Sequence, residues 1–483
     1  MMSDRVKSLK QPRVFYFSTA TASFERFGFY SLSYLLVLYV KNFFNFSDHD
    51  SFILFGVFNA LVFLAPALGG YLGDNIIGIK RTLIVGLVLE ALALLALALP
   101  TDKAFLVALA LTVVGVGLFK VAPTDLLGRA YASNDARIDS GFTLYYMLMN
   151  IGAALAPITT GYVQRYFGWH MAFLCGFFAM LAAVITYFVL KDRATDVDSP
   201  PGKKPLSIKK WIIFLSGTLV SIGIVIFLLN YATISNIFFA VSTIFLLIYF
   251  VNEIRKGPRQ EKMEICACLC LIIIGMIFFI MYFQLYMSIT LFTDRCINHN
   301  FLGLNIPTSA FLGLNPIWVI LFSPFLVMIY NNLERKKKDL KITAKFALGL
   351  LFTSLCFMFL YFSHFFHDAN FTVSNLWLIL AIGLFSFGEL LISALGVAMV
   401  ARIAPKRMYG VMMGAWYLIA CSLASSVSGK VSDLASIPDS LTDKALILGI
   451  YAKAFLVIGL LGVGFAVIVF LISPYINRIG HLK

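Results

Sequence analysis

Glu25, Arg26, Glu90, Lys120 and Glu389 each interrupt a long apolar stretch of this chain. A charge surrounded by hydrocarbon is costly, so such residues are candidates for proton, ion or substrate sites, or else for ion pairs between helices. A carboxyl group there can take up and release a proton, and a cation can hold an anionic group. Glu90 stands alone in an otherwise apolar stretch and reads as a structural ion-pair staple or a protonated acid. Lys345 and Lys453 lie near the ends of their stretches and are expected to snorkel toward the interface. Other chemistries find little support. Cys266, Cys268 and Cys270 alternate, which on a helix turns neighbours about 200° apart and away from a shared metal. Cys296 has no nearby partner for a disulfide, and His364 with His367 is a weak metal signal. No nucleophile stands beside a base, so an enzyme, a metal and a cofactor are all unexpected.

The elements that must hold these charges are membrane helices. The chain has 483 residues, 60% of them hydrophobic and only 13% charged, with a mean hydropathy of +0.89. A soluble domain carries roughly twice that charged fraction. Residues 83–99, 212–229 and 446–472 are apolar enough to span a bilayer, which takes about 20 residues. Reading apolar stretches between polar breaks predicts fourteen helices: 14–42, 50–73, 79–99, 103–124, 138–165, 169–190, 210–230, 233–253, 263–293, 309–331, 342–364, 373–402, 407–430 and 444–475. Residues 1–13 are polar and basic without a cleavage site, so no cleavable signal is expected.

The formal charge of +14 suggests nucleic acid until its distribution is examined. Basic residues crowd into the N-terminal arm and alternate loops, including Lys80, Arg81, Arg129, Arg137, 191–210, 255–262, 335–341 and 402–407. The intervening segments hold only Lys41, Lys103, Arg165, Arg295, Lys430 and Lys444. That asymmetry fits the positive-inside rule with both termini cytoplasmic, a lipid partner and no nucleic acid. The helices form two six-helix blocks, 1–190 and 263–483, separated by a linker and an inserted helix pair over 191–262. A six-plus-six plan places a substrate site near the midplane between the halves. The inserted pair carries no intramembrane charge and reads as scaffolding.

Several motifs then occur in order. Phe24-Glu25-Arg26-Phe27-Gly28-Phe29-Tyr30 resembles the E-x-x-E-R-F-x-x-Y motif of the proton-dependent oligopeptide transporters. Residues 69–81, with Asp74, Lys80 and Arg81, are similar to the major facilitator signature, whose charges latch helix ends. Lys120, the stretch 141–152 with Tyr145 and Asn150, Pro157 and Gly168-Trp169-His170 continue the resemblance. Asn315-Pro316, Gly388-Glu389-Leu390, Pro405-Lys406-Arg407 and Met413-Gly414-Ala415-Trp416-Tyr417-Leu418 extend it through the second half. It covers nearly the whole chain except the inserted pair, which bacterial members also carry. It implies an all-α major facilitator fold and a secondary transporter importing di- and tripeptides with protons by alternating access. A bacterial inner membrane and a monomer are expected.

On that resemblance, Lys120 and Arg26 would bind the carboxylate of a peptide and Glu389 its amino terminus, two groups roughly 7–10 Å apart in a di- or tripeptide. Asn150 and Asn315 can hydrogen-bond a peptide group in either direction. Tyr30, Tyr145, Phe279, Phe283 and Trp416 would line adaptable walls; singly, most such aromatics are helix packing, with Tyr30 and Trp416 the better candidates. Glu25, then Glu389, would carry the proton. Three positions depart from the family pattern: Ala22 replaces the first glutamate of the helix-1 motif, Phe283 an acid beside Gln284, and Phe63 a tyrosine. Weakened or rerouted proton coupling follows. The competing readings are a carrier of another small charged metabolite and a peptide-binding receptor.

Overall fold

With no water in a bilayer core, every backbone N–H and C=O must be satisfied within the chain, which favours helices. The computed structural model describes residues 10–479 apart from 100, 102–103, 133–134, 136 and 337–339; of 139, 334, 394–395, 397–398, 401 and 479 it describes the backbone alone. Arg5, Lys7, Lys103, Lys337, Lys338 and Lys483, which entered the charge pattern above, lie outside the described residues. Among the described residues, thirteen helices are long and apolar enough to cross a membrane. They are α2 (Asp48–Ile77), α3 (Ile79–Ala98), α4 (Phe105–Arg129), α5 (Ser140–Phe167), α6 (Trp169–Ala194), α7 (Ile208–Asn230), α8 (Ala232–Lys256), α9 (Arg259–Cys296), α10 (Thr308–Leu333), α11 (Ile342–Phe366), α12 (Asn375–Ser393), α13 (Lys406–Ala435) and α14 (Lys444–Arg478). Before them runs α1 (Arg13–Ser33), which carries Glu25 and Arg26 and turns into a short continuation, Leu36–Asn42. The helical backbone of α12 continues to Ile403. This is the all-α architecture expected from the apolar runs. A two-residue-strand hairpin, Asn300–Phe301 against Leu304–Asn305, joins α9 to α10. Its turn places both Leu302 and Gly303 at positive φ, the backbone of a type I′ turn.

The chain forms two compact units. One comprises the chain up to Leu32 together with Ala65–Phe227, and the other comprises Ser33–Leu64 and everything from Leu228. In the first unit α3 packs on α4 and α6, with Leu83, Leu87, Ala108, Leu109, Val116 and Phe173 fully buried. Lipid tails are as apolar as leucine, so these helices associate through close contact, which small residues permit. Gly86 and Gly115 supply it: a Cβ on Gly86 would stand 2.7 Å from the Gly115 carbonyl oxygen. In the second unit α11 packs on α12 and α14, and the first part of α2 packs on α13. Only 22% of the most apolar window of α7 and of α8 is buried, against 67% in α2 and α4. The inserted helices are therefore mostly surface. α8 is nonetheless tied in: Arg407 at the start of α13 donates to Glu253 of α8 (2.5 Å) and to Glu261 of α9 (2.8 Å).

The polar segment after α6 has a structural task. Gly78 occupies the N-cap of α3 with φ +104°, a conformation open to glycine but lacking a capping side chain. The cap comes from 119 residues downstream. Asp198 Oδ1 accepts from the backbone N–H of Ile79 (2.9 Å) and of Lys80 (3.4 Å), and Ser199 Oγ donates to the Gly73 carbonyl (2.7 Å). Asp198→Ala should cost about 1 kcal/mol, as for a lost N-cap. A lower unfolding midpoint in detergent would register it, and Asp198→Asn should recover part of the loss. An unchanged midpoint in Asp198→Ala would mean the segment contributes no stability.

Candidate functional site

The charged residues fall into two clusters, one in each unit. In the first unit α1 aims Glu25 and Arg26 inward, and the guanidinium grips the neighbouring carboxylate with two nitrogens. Arg26 Nε donates to Glu25 Oε2 at 2.6 Å, and a terminal nitrogen reaches Oε1. The Glu25 side chain is fully buried and that of Arg26 nearly so. The Arg26 guanidinium also lies 5.0 Å from the Phe29 ring centroid and 5.9 Å from that of Tyr30, a favourable cation–π arrangement. Tyr145 of α5 is buried and faces Arg26 and Glu25. Lys120 in α4 and Glu90 in α3 complete the cluster. The predicted Asn150 uses its Nδ2 on the Tyr146 carbonyl one turn back (2.8 Å), leaving its carbonyl oxygen for another partner.

In the second unit, Asn315 Nδ2 donates to Glu389 Oε2 at 2.7 Å and to Ser386 Oγ at 3.0 Å. Ser386 stands three positions before Glu389, on the same face of α12, and its hydroxyl also donates to the Ile382 carbonyl (2.8 Å). Sequence reading named Asn315 and Glu389 but missed Ser386. Its spacing from Glu389 was the available signal.

The predicted aromatic walls differ in how closely they are packed. Trp416 is 2% exposed and fills the room left by Gly275, where an added Cβ would stand 2.8 Å from the indole. Its ring lies 6.1 Å from Phe279. Phe283 is 1% exposed and stacks on Phe279 at 5.9 Å, with Phe63 at 5.7 Å. The two phenylalanines at positions where the family pattern has an acid and a tyrosine therefore touch each other. A carboxylate at 283 would be buried among rings with a heavy desolvation cost, so the two departures form one consistent apolar contact. Gln284 beside it turns to serines, donating to Ser428 Oγ (2.9 Å) and accepting from Ser288 (2.6 Å) and Ser432 (2.9 Å).

The signature between α2 and α3 is divided. Asp74 accepts from Arg129 Nη2 at 2.6 Å, while Arg129 Nε holds Asp125. Lys80 and Arg81 serve the segment after α6: Lys80 Nζ donates to Thr195 Oγ1 (3.0 Å), and Arg81 to the carbonyls of Pro201 (3.1 Å) and Lys204 (2.7 Å). Lys345, expected near the interface, is buried with its Nζ 4.4 Å from the Tyr330 ring centroid. Sequence reading also missed the pairing of Asp48 with Arg295, whose Nη1 and Nη2 lie 2.6 and 2.8 Å from the carboxylate. With 247 positions between the partners, no local pattern announces it.

Comparison with known proteins agrees with this architecture and these motifs. The POT family matches residues 80–447. The chain is 34% identical to dipeptide and tripeptide permease A of Cronobacter turicensis, covering 98% of this chain and 94% of the relative. It is also 34% identical to dipeptide and tripeptide permease B of Salmonella typhimurium, covering 97% and 96%. A solved bacterial homologue of the human drug peptide transporters PepT1 and PepT2 superimposes with a TM-score of 0.87 at 29% identity, over 97% of this chain and 99% of that one. Matches of this extent, to transporters throughout, leave one assignment: this multi-pass membrane protein belongs to the POT family.

Proposed function

We propose that the protein imports di- and tripeptides by alternating access, with protons as the coupling ion. The observation that carries this reading is the placing of buried charge: Arg26 and Lys120, together with Glu25 and Glu90, in the first unit, and Glu389, held by Asn315, in the second. Lys120 with Arg26 takes the peptide carboxylate, and Glu389 takes the amino terminus. Asn150 and Asn315 bond the peptide group, and Tyr30, Tyr145, Phe279, Phe283 and Trp416 bound the site as apolar surfaces. Recognition then rests on backbone groups common to every peptide, so side chains matter little. The names of the permease relatives support the same substrate class. The distribution of basic residues supports a bacterial inner membrane with both termini cytoplasmic, and we take a single chain as the transporting unit.

Counterflow in proteoliposomes tests the proposal. Vesicles loaded with unlabelled dipeptide should take up labelled dipeptide, and di- and tripeptides with different side chains should compete. Capping one terminus should weaken competition about 10-fold or more, the order of a lost hydrogen bond to a charged group. Equal competition by doubly capped peptides would overturn the assignment.

A further inference from the structure

Glu90 is 1% exposed, and neither carboxylate oxygen has a hydrogen-bond partner among the described residues. That is not the geometry of an ion-pair staple. Its space is made by α4: a Cβ on Gly115 would come within 2.6 Å of Glu90 Cγ. The charged groups facing it are Glu25 and Arg26 from α1 and Lys120 from α4. α6 also packs on α3, and the titratable group it brings is His170, whose Nδ1 lies 3.0 Å from the Leu97 carbonyl oxygen. Two carboxyl groups thus face each other within a cluster that has two cations, and the two acids are unequally placed. Glu25 is gripped by Arg26 through both oxygens. Glu90 receives no donor.

We propose that Glu90 is the residue that carries the coupled proton, holding it on a carboxylic acid that donates its O–H to the Glu25 carboxylate. The inference rests on the peptide-carrier reading above. Ala22, one helical turn before Glu25 and Arg26, is buried and cannot titrate, and Glu90 serves this cluster from α3 in place of an acid on α1.

The charge balance supplies the coupling. With Glu90 protonated, Arg26 and Lys120 face a single carboxylate, Glu25, and the cluster keeps one positive charge for a peptide carboxylate. When Glu90 loses its proton, two carboxylates neutralise two cations and the incoming anion is no longer compensated. Proton and peptide therefore bind cooperatively, each strengthening the other by the same factor. The peptide's amino group plays no part in this step.

Glu90→Gln keeps the shape and a donor toward Glu25 but cannot exchange a proton. Labelled dipeptide binding by the wild type should tighten at least several-fold from pH 8 to pH 5.5. In Glu90→Gln it should be flat and near the acid-side wild-type value, with counterflow kept and proton-driven accumulation lost. Glu90→Asp should retain the pH dependence. A second measurement needs no variant. In weakly buffered wild-type protein near neutral pH, a dipeptide should draw protons from solution, and the same dipeptide carrying a C-terminal amide should draw none. Wild-type pH dependence and accumulation in Glu90→Gln, or equal proton uptake with the amide, would overturn the proposal. Absence of counterflow in the wild type would instead fault the peptide-carrier reading.

Discussion

Glu389→Gln should lower the affinity for free-amine dipeptides by about 10- to 100-fold while leaving N-acetylated dipeptides within about two-fold. That range corresponds to roughly 1.5–3 kcal/mol, the worth of a hydrogen bond to a charged group. The substitution separates charge from shape. Asn315 Nδ2 donates to Glu389 Oε2 at 2.7 Å, and a glutamine can accept the same bond through its carbonyl oxygen. The local framework of Asn315 and Ser386 therefore persists, and the lost quantity is attraction for an ammonium group. Competition binding with matched free and acetylated dipeptides measures it. Equal losses for both ligands would show that Glu389 holds helices together and does not read the peptide's amino terminus.

The largest stability effect is expected at Asp48. Its side chain is fully buried and receives Arg295 through both oxygens, the backbone N–H of Ile437 at 3.0 Å and Lys41 Nζ at 3.2 Å. Arg295 in turn donates to the Tyr451 hydroxyl at 2.9 Å. Asp48→Ala would leave Arg295 without a carboxylate, with only the Tyr451 hydroxyl to accept from it, and the Ile437 N–H without its acceptor, while Lys41 keeps Asp439 (2.6 Å). Stripping one partner from a buried pair costs on the order of 3–5 kcal/mol. Because Arg295 is 21% exposed, the lower end applies. A loss of about 3 kcal/mol should bring the detergent unfolding midpoint down by roughly 5–10 °C, scaling from domains of somewhat smaller size. Asp48→Leu combined with Arg295→Met should recover much of it, because an apolar replacement leaves no orphaned charge. A single variant that unfolds within about 1 °C of the wild type would sink the argument.

Most of the architecture could be read from runs of apolar residues, because a bilayer imposes one length and one backbone solution on every span. α1 is the exception in kind. It holds Glu25, Arg26 and several hydroxyl residues, and its helix is interrupted between Ser33 and Leu36 within an apolar run. Within the candidate site, residues carried by motifs were legible: Asn315 with Glu389, and Glu25 with Arg26. Partners set by tertiary packing were not. Glu90 looked solitary in sequence because its neighbours come from α1 and α4. Phe63 and Phe283 read as two separate departures, whereas their contact shows that each removes the need for polarity in the other. The residues 192–210 look like a linker in composition, and only the fold brings Asp198 to the bare N-terminus of α3.

That last contact decides where this chain can be divided. A bifunctional fusion, a circular permutant or a pair of co-expressed fragments needs a break in the backbone, and the polar stretch after α6 invites one. Cutting before residue 195 would remove the Asp198 cap, the Ser199 contact and the anchors of Lys80 and Arg81 from the fragment that depends on them. Residues 205–207 precede α7 and follow the last of these anchors, Lys204. A break there keeps the strap on its own fragment, so the serviceable junction lies at the far end of the stretch, not where the preceding helix stops.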